Sequence, residues 1–241
     1  MFLGTASLPA GSRIYAVGDI HGRLDCLERL FKEIGDDIEA RPIAKSRIVL
    51  LGDYVDRGPD SRGVIDFLIS VTGEFELVCL RGNHDDRLLG FVDAPDEFSG
   101  LFLRYGGWKT LASYGVTVPR LDGDVENMSK SMAKNMPDQH KQFLAGLPHY
   151  YSEEDYFFCH AGVRPGVDLK NQDPEDLMWI RDDFLSYQGS FGKVIIHGHT
   201  PHRQVEILPN RINLDTMAFH SGKLSCAVLE NDTCKIIQTD L

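Results

Sequence analysis

Cysteine is scarce and scattered in this chain. Cys26, Cys79, Cys159, Cys226 and Cys234 include no CxxC pair, which argues against a thiolate zinc site or a disulfide scaffold. Cys79 and Cys159 fall inside apolar runs, where cysteine behaves as a small hydrophobe. Reduced thiols and a cytoplasmic location are therefore expected. No apolar run approaches the ~20 residues of a membrane span, and Met1–Ala10 lacks the basic start of a signal peptide. Positive charge is short as well: 25 Lys and Arg stand against 36 Asp and Glu, a net charge of -11. That balance argues against nucleic acid or an acidic membrane as partner. An anionic ligand would have to be drawn by local charge at its site. Repeats and low-complexity tracts are also missing. With 241 residues and 42% hydrophobic content, residues 1–241 read as one domain.

What the chain does contain is one design used five times. The apolar run Ile48–Leu51 ends in Gly52-Asp53-Tyr54-Val55-Asp56-Arg57-Gly58, and Ile14–Val17 ends in Gly18-Asp19-Ile20-His21-Gly22. Leu77–Leu80 runs into Arg81-Gly82-Asn83-His84-Asp85, Tyr156–Cys159 into His160-Ala161-Gly162, and Val194–Ile196 into His197-Gly198-His199. Each reads as a buried strand ending in a turn with Asp, Asn or His. A single Asp in a turn is commonplace, since its side chain bonds its own backbone. Five such turns would not all choose metal-ligand side chains. In open α/β sheets, ligands bind outside the carboxyl ends of the strands.

Between the first three strands, Leu24, Leu27, Leu30, Phe31 and Ile34 keep helical spacing, and Pro59-Asp60-Ser61 opens a second helix. This is a parallel βαβαβ pattern. Residues 86–148 change character, with helical patterns, several glycines and Met128, Met132 and Met136, and are expected to form a helical cap or insertion. The methionines should be packing residues. From Tyr150 onward short strands and turns return, with Glu153-Glu154-Asp155 as a hairpin turn and Pro174 starting a helix. The expected fold is α/β: two sheets packed face to face, with helices outside.

The candidate ligands are Asp19, His21, Asp53, Asn83, His160 and His199. They offer oxygen and imidazole nitrogen, a mixture that suits Mn, Fe or Zn in a catalytic site. They are too many for one ion with open positions. Two ions about 3.5–4 Å apart, sharing a carboxylate, would use them all, turn a water into hydroxide and neutralise phosphoryl oxygens. Asp53 is the natural bridge, because its strand should lie centrally among the five.

The blocks GDIHG, GDYVDRG, RGNHD, HAG and GHT, in this order along nearly the whole chain, resemble the phosphoprotein phosphatase branch of the calcineurin-like metallophosphoesterases. The resemblance implies two mixed β-sheets flanked by helices. It implies that Asp19, His21 and Asp53 hold one metal, and Asp53, Asn83, His160 and His199 the other, with Mn favoured. It makes His84 the general acid and Asp56 its orienting carboxylate. Arg57 and Arg181 become phosphate-binding residues, with Arg81 a weaker candidate and Arg164 another. Guanidinium forks fit phosphate geometry.

Two departures stand out. Asp85 occupies a position where many relatives have Glu, and Met217 follows Asp215-Thr216 where Gly is usual. His140, His149, His202 and His220 lie outside the motifs and are expected at the surface or in packing, and His197 as a support for the ligands. The resemblance implies a serine/threonine protein phosphatase acting on phosphoprotein or small phosphoesters. The alternative is a symmetrical bis(5'-nucleosyl)-tetraphosphatase, whose family shares these blocks and the GG…SYG pattern at Gly106–Gly115. The remaining alternative, a non-catalytic metal-binding scaffold, sits badly with six intact ligands and a His84–Asp56 pair.

Overall fold

The computed structural model describes residues 6–118 and 124–240. Strands β1 (Ser12–Val17), β2 (Lys45–Leu50), β3 (Leu77–Cys79), β9 (Ser225–Glu230) and β10 (Thr233–Gln238) form one sheet, in the order β10-β9-β1-β2-β3. Strands β4 (Tyr150–Glu153), β5 (Tyr156–Cys159), β6 (Val194–His197), β7 (Glu206–Ile207) and β8 (Arg211–Asn213) form the other, in the order β4-β5-β6-β8-β7. Each sheet is mixed. β1, β2 and β3 run parallel, as do β5, β6 and β8, while β9, β10, β4 and β7 join antiparallel.

The side-chain period of 2 along each strand builds three layers of core. Ile14, Ala16, Val49 and Leu229 of the first sheet meet Tyr156, Phe158, Ile196 and Ile212 of the second between the sheets. Their neighbours Tyr15, Val17, Ile48 and Leu50 pack on the outer face among helical residues. Phe157, Cys159 and Ile195 do the same on the far side, against Leu177, Ile180 and Phe184. The unbroken apolar runs in the sequence are thus strands covered on both faces.

Helix α1 (Leu24–Ala40) buries Cys26, Leu27, Leu30, Phe31 and Ile34, the stripe its spacing predicts. Helix α2 (Ser61–Ser70) starts where Asp60 accepts from Gly63 N at 2.8 Å, a cap worth about 1 kcal/mol. Helices α3 (Asn83–Asp93), α4 (Pro95–Phe102), α5 (Trp108–Ser113), α6 (Val125–Asn135) and α7 (Asp138–Ala145) follow. They span the expected helical stretch, α3 beginning three residues earlier. Met128, Met132 and Met136 are buried in the core they share with α1 and α2. Helices α8 (Pro174–Trp179), with Pro174 in its first turn, α9 (Asp182–Leu185) and α10 (Ala218–Ser221) complete the fold.

One expectation needs refining. The strand before Asp53 lies between β1 and β3, but the strands before His160 and His199 belong to the second sheet. β2 is therefore central among three of the five ligand-bearing strands. The other two reach the site from across the sandwich. Among the described residues no two cysteines are joined in a disulfide. Among the described residues no helix is long and apolar enough to cross a membrane.

Candidate active site

The five turns come together. Ile20 N and His21 N donate to Asp53 O at 3.2 and 2.8 Å, and Gly198 N donates to His160 O at 2.8 Å. His199 N donates to Asp19 Oδ2 at 3.1 Å, which ties the second sheet to the first. Gly198 lies so close to the Asp19 carboxylate that a Cβ there would overlap it. Eight described non-glycine residues have a positive φ, and five of them are His21, Asp53, Asp56, Arg57 and His199. Left-handed backbone is unfavourable for L-residues and collects at functional sites. Asp85 helps hold it in place: its carboxylate accepts from Asp53 N at 2.8 Å, Tyr54 N at 2.9 Å and Gly82 N at 3.0 Å. The shorter side chain at this position therefore still spans the turn.

The ring nitrogens define what the pocket can bind. His21 Nδ1 donates to Val55 O at 2.8 Å and His160 Nδ1 to Leu51 O at 2.9 Å, so each presents Nε2 to the site. His21 Nε2 lies 3.4 Å from Asp53 Oδ2, and His160 Nε2 3.4 Å from Asp53 Oδ1. Asn83 Oδ1 is 2.9 Å from His160 Nε2 and 3.0 Å from His199 Nδ1, and those two nitrogens are 3.2 Å apart. With neutral rings, the Nε2 atoms of His21 and His160 carry lone pairs, as do Asn83 Oδ1 and the Asp53 oxygens. A cluster of acceptors this tight needs a cation or a shared proton at its centre. Its donors, oxygen and imidazole without thiolate, suit Mn, Fe or Zn.

The charges agree. Burial lifts the Asp19 pKa well above its ordinary value, and the neighbouring Asp215 adds to this. Burial would raise Asp53 too, but His160, His84 and His21 outweigh it and hold Asp53 well below the carboxylate range. His160 is opposed by burial yet pushed up to about 9 by Asp53 and Asp19. Burial lowers His21 and His199 instead.

His84 is within reach of His21 and Asp53 and can be grouped with them as a donor set. Its hydrogen bonds point to another role. His84 Nδ1 donates to Asp56 Oδ2 at 2.6 Å, and Nε2 accepts from Arg57 Nη2 at 3.2 Å. The other Asp56 oxygen accepts from Thr110 Oγ1 at 2.6 Å. Thr110 and Ser61 also meet the Asp56 backbone N–H. Arg57 lies 4.9 Å over the Phe219 ring, which stands edge-on to His21.

A cavity of about 490 Å³ opens over these groups. Arg57 and Arg181 line it. Arg87, Trp179, Tyr105 and Leu101 line it as well. Arg81 does not: its guanidinium binds Asp86 at 3.2 Å and the Leu144 and Ala145 carbonyls. The geometry removes Arg81 from the phosphate-binding set and makes it a tie to the end of α7. Arg164 is paired with Asp176 and Asp183. His140 is buried between Tyr114 and Asp66, His202 and His220 are exposed, and His149 is half-buried. His197 Nδ1 donates to Gly198 O at 3.0 Å, bracing the turn that carries His199.

Sequence reasoning missed Thr110, Arg87 and Phe219. Thr110 lies inside the Gly106–Gly115 pattern, and Arg87 follows Asn83 by four residues, on the same helix face. No pattern marked Phe219.

A family model for calcineurin-like phosphoesterases matches residues 12–226. The chain belongs to that family. It is 26% identical over 231 residues to the asymmetrical bis(5'-nucleosyl)-tetraphosphatase PrpE of Anoxybacillus flavithermus, covering 87% of each chain. A PrpE of Bacillus mycoides is 27% identical over 235 residues, again with 87% of each covered. Among solved structures, one provisionally assigned as a diadenosine tetraphosphatase superposes with a TM-score of 0.66 at 22% identity, covering 96% of both chains. A protein serine/threonine phosphatase from Saccharomyces cerevisiae gives 0.58 at 16% identity, covering 96% of this chain and 80% of that one. These two share the fold. The chain is thus a metallophosphoesterase, a hydrolase of phosphoesters.

Proposed function

We propose that this hydrolase acts on a dinucleoside polyphosphate, and that residues 86–148 serve as the cap that selects it within the single domain 1–241. The carrying observation is the cavity, where, among the described residues, three guanidinium groups face a single lining carboxylate, Asp53. The PrpE names of the relatives support the same reading. Asp19, His21 and Asp53 would hold one divalent ion, and Asp53, Asn83, His160 and His199 the second, with manganese our choice among Mn, Fe and Zn. When bound, such ions activate water and neutralise phosphoryl oxygens.

The side chains supply the rest. Arg57 and Arg181 grip the phosphate under attack and stabilise charge as it develops. Arg57 now donates to His84 Nε2. Drawn onto a phosphate, it frees that nitrogen to carry the proton passed to the leaving oxygen. Asp56 fixes the orientation of the ring. A serine/threonine protein phosphatase is the second reading. Exposed Leu101, Tyr105 and Trp108 favour it, because they offer a peptide an apolar ledge.

The test is a side-by-side assay of diadenosine tetraphosphate, a phosphopeptide and p-nitrophenyl phosphate with Mn²⁺. The highest kcat/KM is expected for the dinucleotide, and its products, ATP plus AMP or two ADP, reveal the bond cut. A phosphopeptide hydrolysed faster than the dinucleotide would reverse the order of the two readings.

A further inference from the structure

Arg87 belongs neither to the candidate ligands nor to the His84–Asp56 pair, yet it lines their cavity. It lies one helical turn beyond Asn83 on α3, so both face the site. Its guanidinium carbon lies over the Trp179 ring, 4.3 Å from the centroid. Trp179 in turn stands edge-on to His199, with ring centres 5.9 Å apart. Arg87 forms no ion pair with any described residue, and its Nε is buried without a hydrogen-bond partner. A partly buried, unpaired guanidinium is costly unless something supplies the missing acceptor.

Glu175, Asp86 and Asp56 act on Arg87 through charge alone, without an ion pair, and the only carboxylate lining the cavity among the described residues is Asp53. One phosphate held by Arg57 and Arg181 leaves Arg87 unused, and a nucleobase would have to displace Arg87 to stack on that face of Trp179. The missing partner is therefore a second anionic group of the same ligand. We propose that Arg87, held in place by Trp179, binds a second phosphoryl group next to the one gripped by Arg57 and Arg181. The pocket is then built for a phosphoanhydride chain and discriminates against a lone monoester. This rests on the reading of the cavity as a phosphate-hydrolysing site.

The test uses the manganese-loaded full chain carrying Trp108→Phe, which leaves Trp179 as its sole tryptophan, with manganese in excess of added phosphate. Trp179 fluorescence is titrated with pyrophosphate and with orthophosphate. Pyrophosphate is expected to bind at least about tenfold tighter, the scale of one charge-assisted hydrogen bond. Arg87→Gln should bring the two affinities together, and Arg87→Lys should recover part of the gap. In parallel, Arg87→Gln should lower the kcat/KM ratio of diadenosine tetraphosphate over p-nitrophenyl phosphate by about tenfold. Equal weakening of both phosphates, or none, would overturn the proposal and leave Arg87 as a packing residue. If the dinucleotide is not hydrolysed but pyrophosphate preference still depends on Arg87, the substrate reading falls and the subsite stands. If the dinucleotide is hydrolysed with a selectivity that ignores Arg87, the subsite alone falls.

Discussion

His84 is held by a chain of contacts running through three elements. Its ring is fixed by Asp56 Oδ2, and the opposite Asp56 oxygen is occupied by Thr110 from α5. His84→Asn should therefore slow poor leaving groups by about 10²–10⁴, the usual range for general acid catalysis. An activated ester such as p-nitrophenyl phosphate leaves without a proton and should suffer much less. Thr110→Val keeps the shape but strands a buried carboxylate oxygen. It should follow the same leaving-group pattern more weakly, while Thr110→Ser restores it. Rate measurements over a leaving-group series decide the matter, and equal losses for activated and unactivated esters would remove His84 from the acid role. The ligand candidates were legible because so few residue types bind metals and all follow apolar runs. Thr110 was not: hydroxyl residues are common in helices, and only packing brings this one to Asp56.

The short elements carry the conformational strain. Gly106 sits at φ 106 within the kinked stretch Leu103–Gly107, and its carbonyl accepts from Arg57 N at 3.3 Å. A Cβ there would press on the Arg57 backbone, so this stretch could not approach the site so closely. Met217 poses the opposite case. It adopts φ 57 and ψ 48 just before α10, the turn that delivers Phe219 beneath Arg57. This is the left-handed conformation in which Gly is at ease, which accounts for the Gly usual here. The backbone shape survives, at a cost of about 1–2 kcal/mol for an L-residue. Met217→Gly removes that strain but adds about 0.5–1 kcal/mol of chain entropy. The net expectation is a gain of up to about 1.5 kcal/mol, read as a Tm rise of up to about 3–6 °C. Met217→Val should instead destabilise by about 1–3 kcal/mol, since a β-branched residue fits this conformation poorly. Calorimetry of both variants checks the sign. A lower Tm for Met217→Gly would mean that Met217 packing outweighs its strain.

For the molecule as a whole, two layers of sheet could be read from the buried runs and the later hairpins. The division of the ligand-bearing strands between the sheets could not, because strand pairing across a sandwich leaves no local mark. Nor does net charge -11 reveal where the positive charge of the site is concentrated. The local acidity of the site gives metal binding a consequence for the stability of the whole fold. His160, pushed up to about 9 by Asp53 and Asp19, holds a proton that a cation would displace. In the metal-free protein its pKa is higher folded than unfolded, so the folded state binds more protons. Its contribution is fully present below about pH 6.5 and is lost as pH rises towards 9. The metal-loaded fold has already given up that proton and escapes the loss. Manganese should therefore raise Tm more at pH 8.5 than at pH 6.5, with a difference corresponding to about 1–3 kcal/mol. Titration calorimetry at pH 7.5 in buffers of different ionisation enthalpy should also register proton release on binding. A manganese-induced Tm shift that stays constant or shrinks from pH 6.5 to 8.5 would show that His160 does not surrender a proton to the ion.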